Sequence, residues 1–281
     1  MLKLSIITVN LNNAEGLRKT IESVVNQTYT HFEHIIIDGG STDGSVEVIK
    51  GYEKQYVHVQ GRLYWKSEPD KGIYDGMNKG IKLAKGEYCL FLNSGDLLYE
   101  HRTLSNISRY QLIGDIISFN SEIIRDNYFE KVSYTNYSIE YFVNGTICHQ
   151  SIFHKTDLFH KYGLYSLEYK IASDYDFLLN LIFTKEVTVQ YINEDLSIFP
   201  AIDGISTINK SLLQKERSTI KSSILSKKIW SDIENIISEK NKYKIEVEGL
   251  KSSNLIKLTL HIINLKSRLV SIFKHNQRLR N

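Results

Sequence analysis

The first hundred residues alternate between two hydrophobic periods, and that alternation limits the fold more than any other feature of the chain. "KLSIITV" (3–9) is a short β-branched run. Leu17, Ile21, Val24 and Val25 then recur at helical spacing, behind Asn12 or Asn13 as a cap. "FEHIIID" (32–38) reads as a second buried strand, and Val46, Ile49 and Tyr52 as a second helix. "LYWKSE" (63–68) is strand-like, Ile73, Met77, Ile81 and Ala84 share a helix face, and "EYCLFL" is a fourth strand. Strands and helices in strict succession need right-handed crossovers, hence a parallel sheet covered on both faces. The expected fold class is α/β, a Rossmann-like, mostly parallel sheet flanked by helices.

In such sheets ligands bind beyond the carboxyl ends of the strands. Polar clusters fall at all four of those ends: Thr8-Val9-Asn10, Asp38-Gly39-Gly40, Glu68-Pro69-Asp70 and Asn93-Ser94-Gly95-Asp96. After residue 100 the alternation loosens. Strands are expected at 115–124, 187–192 and 196–199, and an amphipathic helix at 174–183. No internal repeat is evident.

With 281 residues, 42% hydrophobic and 24% charged, the chain has the composition of a globular protein with ample core. Cys89 and Cys148 lack metal-ligand spacing, and Cys89 reads as a small core residue. The N-terminus enters a strand directly, unlike a signal peptide, and no run approaches the ~20 apolar residues of a membrane span. A cytoplasmic protein is expected. The net charge of +3 hides an asymmetry, because 249–281 holds seven Lys or Arg and no acid. A mildly acidic body with a basic tail argues against a nucleic-acid binder.

The chemistry must rest on carboxylates. There is no G-x-G-x-x-G after a strand, no P-loop, no G-x-S-x-G, no H-E-x-x-H and no C-x-x-C. Asp38, followed by two glycines, suits an acceptor beside a ligand but also a plain turn. Asp96 beside a diphosphate makes electrostatic sense only with Mg²⁺ or Mn²⁺ between them. In "SEPDKGIYDGMNKG" (67–80), Asp70 and Gly72 precede a helix bearing Asp75 and Asn78. Asp75 and Lys79 also form an ordinary i, i+4 pair. Asp174 and Asp176 open a helix, where the dipole favours acids and where a general base could stand. "CHQSIFHK" adds His149 and Gln150 on the acceptor side.

Taken together, "SIITVNLN", "VVNQTY" with "FEHIIIDGGSTDGS", "SEPDKGIYDGMNKG", "CLFLNSGD", and "ASDYDFLL" followed by "GIS" at 204–206 resemble glycosyltransferase family 2. The likeness covers about residues 3–207, and runs to bacterial members that build polysaccharide units on lipid carriers. It implies a GT-A fold and an inverting enzyme that uses a nucleotide-sugar, a UDP-sugar by preference. Thr8, Asn10 and Asp38 would then hold the nucleoside. Asp70, Gly72, Asp75 and Asn78 would line the donor pocket. Asn93, Ser94, Gly95 and Asp96 match the family's metal-binding Asp-x-Asp region, with Asp96 as the retained acid and Mn²⁺ or Mg²⁺ as the cofactor. Asp174 matches the catalytic base. Two other readings stay open: a non-catalytic nucleotide-sugar binder, favoured by the reduced "NSGD", and a nucleotidyltransferase.

The resemblance divides the chain into a domain over 1–207, with a donor half 1–100 and an acceptor half 101–207, and a helical extension over 208–281. In 255–273, Leu255, Leu258, Ile262, Leu265, Leu269 and Ile272 repeat at threes and fours among basic residues. That pattern from residue 250 onward suits an anionic membrane surface on the inner face, near a lipid-linked saccharide acceptor. It equally suits docking on the domain or a coiled-coil seam in a homodimer.

Overall fold

The computed structural model describes residues 3–59, 63–125, 128–135, 139–145, 148–201, 207 and 209–252. Four parallel strands, β1 (Leu4–Asn10), β2 (Phe32–Asp38), β3 (Leu63–Ser67) and β4 (Tyr88–Phe91), alternate with α1 (Ala14–Val25), α2 (Ser45–Tyr52) and α3 (Ile73–Leu83). The sequence continues through β5 (Leu97–Leu98), α4 (Thr103–Ile107), β6 (Ile116–Ile124), β7 (Phe129–Ser133) and α5 (Ile139–Asn144). A 3-10 turn, His149–Ser151, leads into β8 (Ile152–Lys155), α6 (Thr156–Tyr162), α7 (Ser173–Thr184), β9 (Val189–Pro200) and α8 (Lys210–Ile224). Together the strands make one sheet in the order β3-β2-β1-β4-β8-β6-β9-β5, with β7 on β6. β8 is antiparallel to both β4 and β6, so the sheet changes from parallel to mixed at the β4–β8 seam.

Each face of the parallel half is sealed for a reason visible in its residues. Asn13 caps α1 by accepting from the Gly16 N–H at 3.0 Å. Leu17, Ile21 and Val24 then bury fully against Leu4, Ile6 and Ile36, each contributing roughly 1.5–3 kcal/mol. On the other face α3 turns glycines toward β1: a Cβ on Gly80 would stand 2.5 Å from Ile7 Cγ2, and one on Gly76 2.7 Å from Val9 Cγ1. Beyond β4 that face closes with an aromatic cluster of Phe91, His154, Phe159, Tyr165 and Phe177. Burial among these rings takes the His154 pKa down to about 3, so the side chain packs as a neutral ring.

One element differs from the sequence expectation. The runs at 187–192 and 196–199 are a single strand, β9, continuous through the polar Asn193-Glu194-Asp195. Register shifts opposite Asn120 absorb the extra residues there. Asn120 donates to Asn193 Oδ1 at 3.0 Å and accepts from the Tyr191 hydroxyl at 2.6 Å, which keeps the polar stretch extended.

The chain divides into two compact units, Met1–Ile224 and Leu225–Asn281. The described part of the second contains the 26-residue helix α9 (Lys227–Ser252). Among the described residues no helix is long and apolar enough to cross a membrane. The basic repeat at 255–273 and the "GIS" at 204–206 lie outside the described residues.

Candidate active site

At the end of β2, Asp38 is fully buried and its carboxylate is saturated. Oδ1 accepts from Asn10 Nδ2 at 2.7 Å and Ser41 Oγ at 2.6 Å; Oδ2 accepts from Ser67 Oγ at 2.6 Å and the Ser41 N–H at 2.9 Å. Burial pushes its pKa up, but the Ser41, Ser67 and Asn10 donors outweigh burial and hold it below the usual carboxylate range. Asn10 Oδ1 is buried beside it without a partner. Thr8 lies deeper in the sheet, its hydroxyl 2.9 Å from His34 Nε2, and the other nitrogen of that ring meets the Tyr56 hydroxyl. Burial takes His34 down to about 3, so this chain of three polar groups carries no charge at neutral pH.

Around the start of α3 the predicted residues divide. Asp70 Oδ1 accepts from the Gly72 N–H at 2.9 Å, and Oδ2 sits where a Cβ on Gly39 would stand, 2.9 Å away. Gly72 has φ +115°, a left-handed backbone open to glycine, and it begins the helix. Asp75 faces outward, accepting from the Lys71 N–H and pairing with Lys79 at 3.4 Å. Asn78 spends its whole amide on Tyr165, donating to the carbonyl at 2.8 Å and accepting from the N–H at 3.0 Å. It ties α3 to the segment between α6 and α7.

The turn after β4 is held from both sides. Gly95, at φ +105°, donates its N–H to Thr20 Oγ1 at 2.9 Å, and the Ser94 carbonyl accepts from Asn13 Nδ2 at 3.1 Å. Both contacts anchor the turn to α1. Asp96 is thereby turned inward, only 6% exposed, accepting from the Asn93 N–H at 3.0 Å and from the Gln150 side chain. Burial pushes its pKa up to about 6, against the opposing pull of His149 and Gln150.

His149 joins the two distant acids. Its Nε2 lies 4.0 Å from Asp96 Oδ2, and its Nδ1 lies 3.4 Å from Asp174 Oδ2. Burial lowers the imidazole pKa, but the hydrogen bond and charge of Asp174, with the charge of Asp96, raise it above the ordinary value. Asp174 shows the converse: burial raises its pKa, and His149 and the Tyr74 hydroxyl, donating to Oδ1 at 2.8 Å, bring it below the ordinary value. With the ring neutral, Nδ1–H donates to Asp174 and Nε2 accepts from Asn93 Nδ2 at 3.0 Å. Asn93 Oδ1 is buried without a partner in this arrangement. The 3-10 turn carrying His149 is fixed in turn by a buried hydroxyl chain, Ser151–Ser121–Ser197. Asp176, two residues on from Asp174, projects from a different side of α7 and accepts from Asn180 at 2.9 Å.

The sequence profile of glycosyl transferase family 2 matches residues 5–165. The chain belongs to glycosyl transferase family 2. A PGL/p-HBAD biosynthesis glycosyltransferase of Mycobacterium bovis is 30% identical over 217 residues, 75% of this chain and 82% of the relative. An uncharacterised glycosyltransferase of Mycobacterium tuberculosis is 33% identical over 197 residues, 67% of this chain and 72% of that protein. Among solved structures, S. aureus TarS 1–349 in complex with UDP-GlcNAc aligns at TM-score 0.61 and 16% identity, over 74% of this chain and 61% of that one. The alignment with a longer TarS chain covers 37% of it. A mannosyltransferase from Pyrobaculum calidifontis, in complex with GDP-Man and Mn²⁺, aligns at TM-score 0.53 and 14% identity, over 69% of this chain and 56% of that one. These likenesses show a GT-A fold, and the chain spans less than two thirds of each of these structures.

In this glycosyltransferase the sequence brings Asn93, Asp96, His149, Gln150 and Asp174 into one cluster at the β4–β8 seam. Asn10, Asp38 and Asp70 stand along the neighbouring strand ends, and Asp75, Asn78 and Asp176 are engaged elsewhere. Tyr74 was not among the candidate residues. Its signal was an aromatic residue with a polar tip, one position after Ile73 at the start of the buried helix face and beside the strand ends.

Among the described residues no group of three or more His, Cys, Asp or Glu side chains could hold a metal ion. Asp96 nonetheless suits a cation, being a carboxylate whose pKa burial pushes up to about 6 and whose counter-charge among the described residues is an imidazole at 4.0 Å. Its hard oxygens match Mg²⁺ or Mn²⁺.

Proposed function

We propose that this enzyme transfers a sugar, with inversion, from a nucleoside-diphosphate donor of the UDP-sugar type to a hydroxyl of a glycan or lipid-linked acceptor in surface polysaccharide synthesis. The observation that carries the reading is the single imidazole of His149 with Asp96 on one nitrogen and Asp174 on the other. It brings the acid read as the diphosphate-side group and the acid read as the acceptor-side group within reach of one ring, beyond the end of β4.

Asp174 acts as the general base. A carboxylate has about four lone-pair sites, and the donors from Tyr74, His149 and the Tyr175 N–H leave one of them for the acceptor hydroxyl. These donors, with the charge of His149, also keep the group ionised at neutral pH, when a base must be anionic. The hydroxyl oxygen forms the new bond to the anomeric carbon as the bond to the diphosphate breaks, and its proton passes to Asp174. One displacement through an oxocarbenium-like transition state inverts the centre, as a carboxylate-activated oxygen does in inverting glycoside hydrolysis. An α-linked donor thus gives a β-glycoside.

Asn10, Asp38 and Asp70 line the nucleoside side, where the unpartnered Asn10 Oδ1 offers an acceptor. Asp96 is the side chain that would hold Mn²⁺ or Mg²⁺, with phosphate oxygens and water filling the remaining positions. The bound cation supplies positive charge against the departing diphosphate. The GDP-Man and Mn²⁺ bound in the Pyrobaculum relative and the UDP-GlcNAc bound in TarS support this class of donor.

A panel of nucleotide-sugars, read by ligand-induced thermal shift with and without Mn²⁺, tests the assignment. One UDP-sugar is expected to raise Tm well above the rest, more so with Mn²⁺, and to release UDP when an acceptor glycan is added. No shift with any nucleotide-sugar rules the donor class out, and a shift without nucleotide release favours the binding-protein reading.

A further inference from the structure

Helix α9 carries a pattern that the transfer reaction does not use. Ile229, Ile236 and Tyr243 recur every seven residues and all stand out in solvent, Ile236 at 65% and Tyr243 at 63% exposure. Ile233 and Val247 occupy the alternate positions of the same stripe, four residues beyond Ile229 and Tyr243. Trp230 and Ile237, one residue past two of the seam positions, are buried along its N-terminal edge, whereas Lys244, seven residues on from Ile237, is exposed.

From this pattern we infer that α9 pairs with α9 of a second copy of this chain as a parallel, in-register coiled coil. Assigned as heptads, Ile233, Lys240 and Val247 fall at position a, and Ile229, Ile236 and Tyr243 at d. Ile at both a and d would by itself favour more than two strands, so the strand number rests on Lys240, since one Lys at an a position specifies register and oligomer state at a cost in stability. The flanking charges decide direction. Asp232, Glu239 and Glu246 fill successive g positions, while Lys244 is at e. In a parallel pair g meets e of the following heptad, so Glu239 of each copy faces Lys244 of the other, twice per dimer. In an antiparallel pair g meets g, which would line acid against acid. An exposed a/d seam flanked by a complementary g–e pair, Glu239 with Lys244, fits helix pairing.

The inference is independent of the donor and of the chemistry. Its test is the mass of the full chain in solution by light scattering at tens of micromolar protein. The expected mass is twice the 32.5 kDa of one chain. Glu239→Lys and Lys244→Glu are each expected to weaken the dimer about tenfold or more, and the two together to restore it. The restoration separates pairing from a folding defect. A Tyr243→Cys variant should cross-link to itself under mild oxidation, because in-register d positions face each other, whereas the parent chain should not. A monomeric mass overturns the inference, whether or not the chain partitions onto anionic vesicles. A dimer indifferent to the charge changes, or one in which Tyr243→Cys fails to cross-link, overturns the parallel pairing.

Discussion

Asp96 shows what the site costs the fold. A carboxyl that ordinarily titrates near 3.8 is buried and titrates near 6, so the folded state holds its proton more tightly than the unfolded chain does. The stabilisation from that proton is fully present below the ordinary carboxylate range and is lost as pH rises through about 6. At neutral pH the buried charge costs on the order of 2–3 kcal/mol. Asp96→Asn keeps an acceptor for the Asn93 N–H and removes the charge. In EDTA at pH 7.5 this variant is expected to melt several degrees above the parent while losing transfer, and the gap should close by pH 4. Thermal denaturation across that range checks both the sign and the window; a lower Tm at pH 7.5 would mean the carboxylate stabilises the fold. Active sites commonly carry such costs, because a group arranged for a ligand is left short of partners without it.

α3 is where packing and chemistry meet. Its glycines let the helix settle onto Ile7 and Val9, and that depth sets where Tyr74, at its first turn, reaches Asp174. Gly80→Ala gains about 1 kcal/mol of helix propensity. It also places a methyl 2.5 Å from Ile7 Cγ2 in a sealed core, an overlap of the kind that costs about 1–3 kcal/mol. The overlap wins, so Tm and kcat should both fall, the latter because α3 must lift and carry Tyr74 with it. Gly51→Ala on α2 is the control: a Cβ there meets nothing within 4 Å, and the change should leave kcat alone and Tm unchanged or higher. Equal stability for parent and Gly80→Ala would refute the close-packed reading. α3 was legible in the sequence because its apolar residues follow one period, and the same holds for β1 to β4. β8 and β9 were harder. β8 is four residues between a 3-10 turn and a helix, too short to show a period, and β9 runs through Asn193-Glu194-Asp195, which reads as a loop until Asn120 and Tyr191 are seen to hold it.

Across the whole molecule the site is assembled from four separated segments, at Tyr74, Asn93 to Asp96, His149 and Asp174, that converge where the parallel half meets the mixed half. The carboxylates at the strand ends could be read from the chain because strands of a parallel sheet all deliver their ends to one rim. His149 could be named from the chain as an acceptor-side candidate, but its place between Asp96 and Asp174 could not be read, since 56 residues separate Asn93 from His149 and the β4–β8 pairing brings them together. Two acids sharing one histidine is the central claim, and their separate roles predict that donor binding and transfer come apart when one acid is changed. The measurement that tests it most directly is transfer rate and donor affinity in Asp174→Asn. Transfer should fall about 10²–10⁴-fold, the usual worth of a positioned base, with donor affinity within about twofold of the parent. Undiminished transfer in Asp174→Asn would contradict the account.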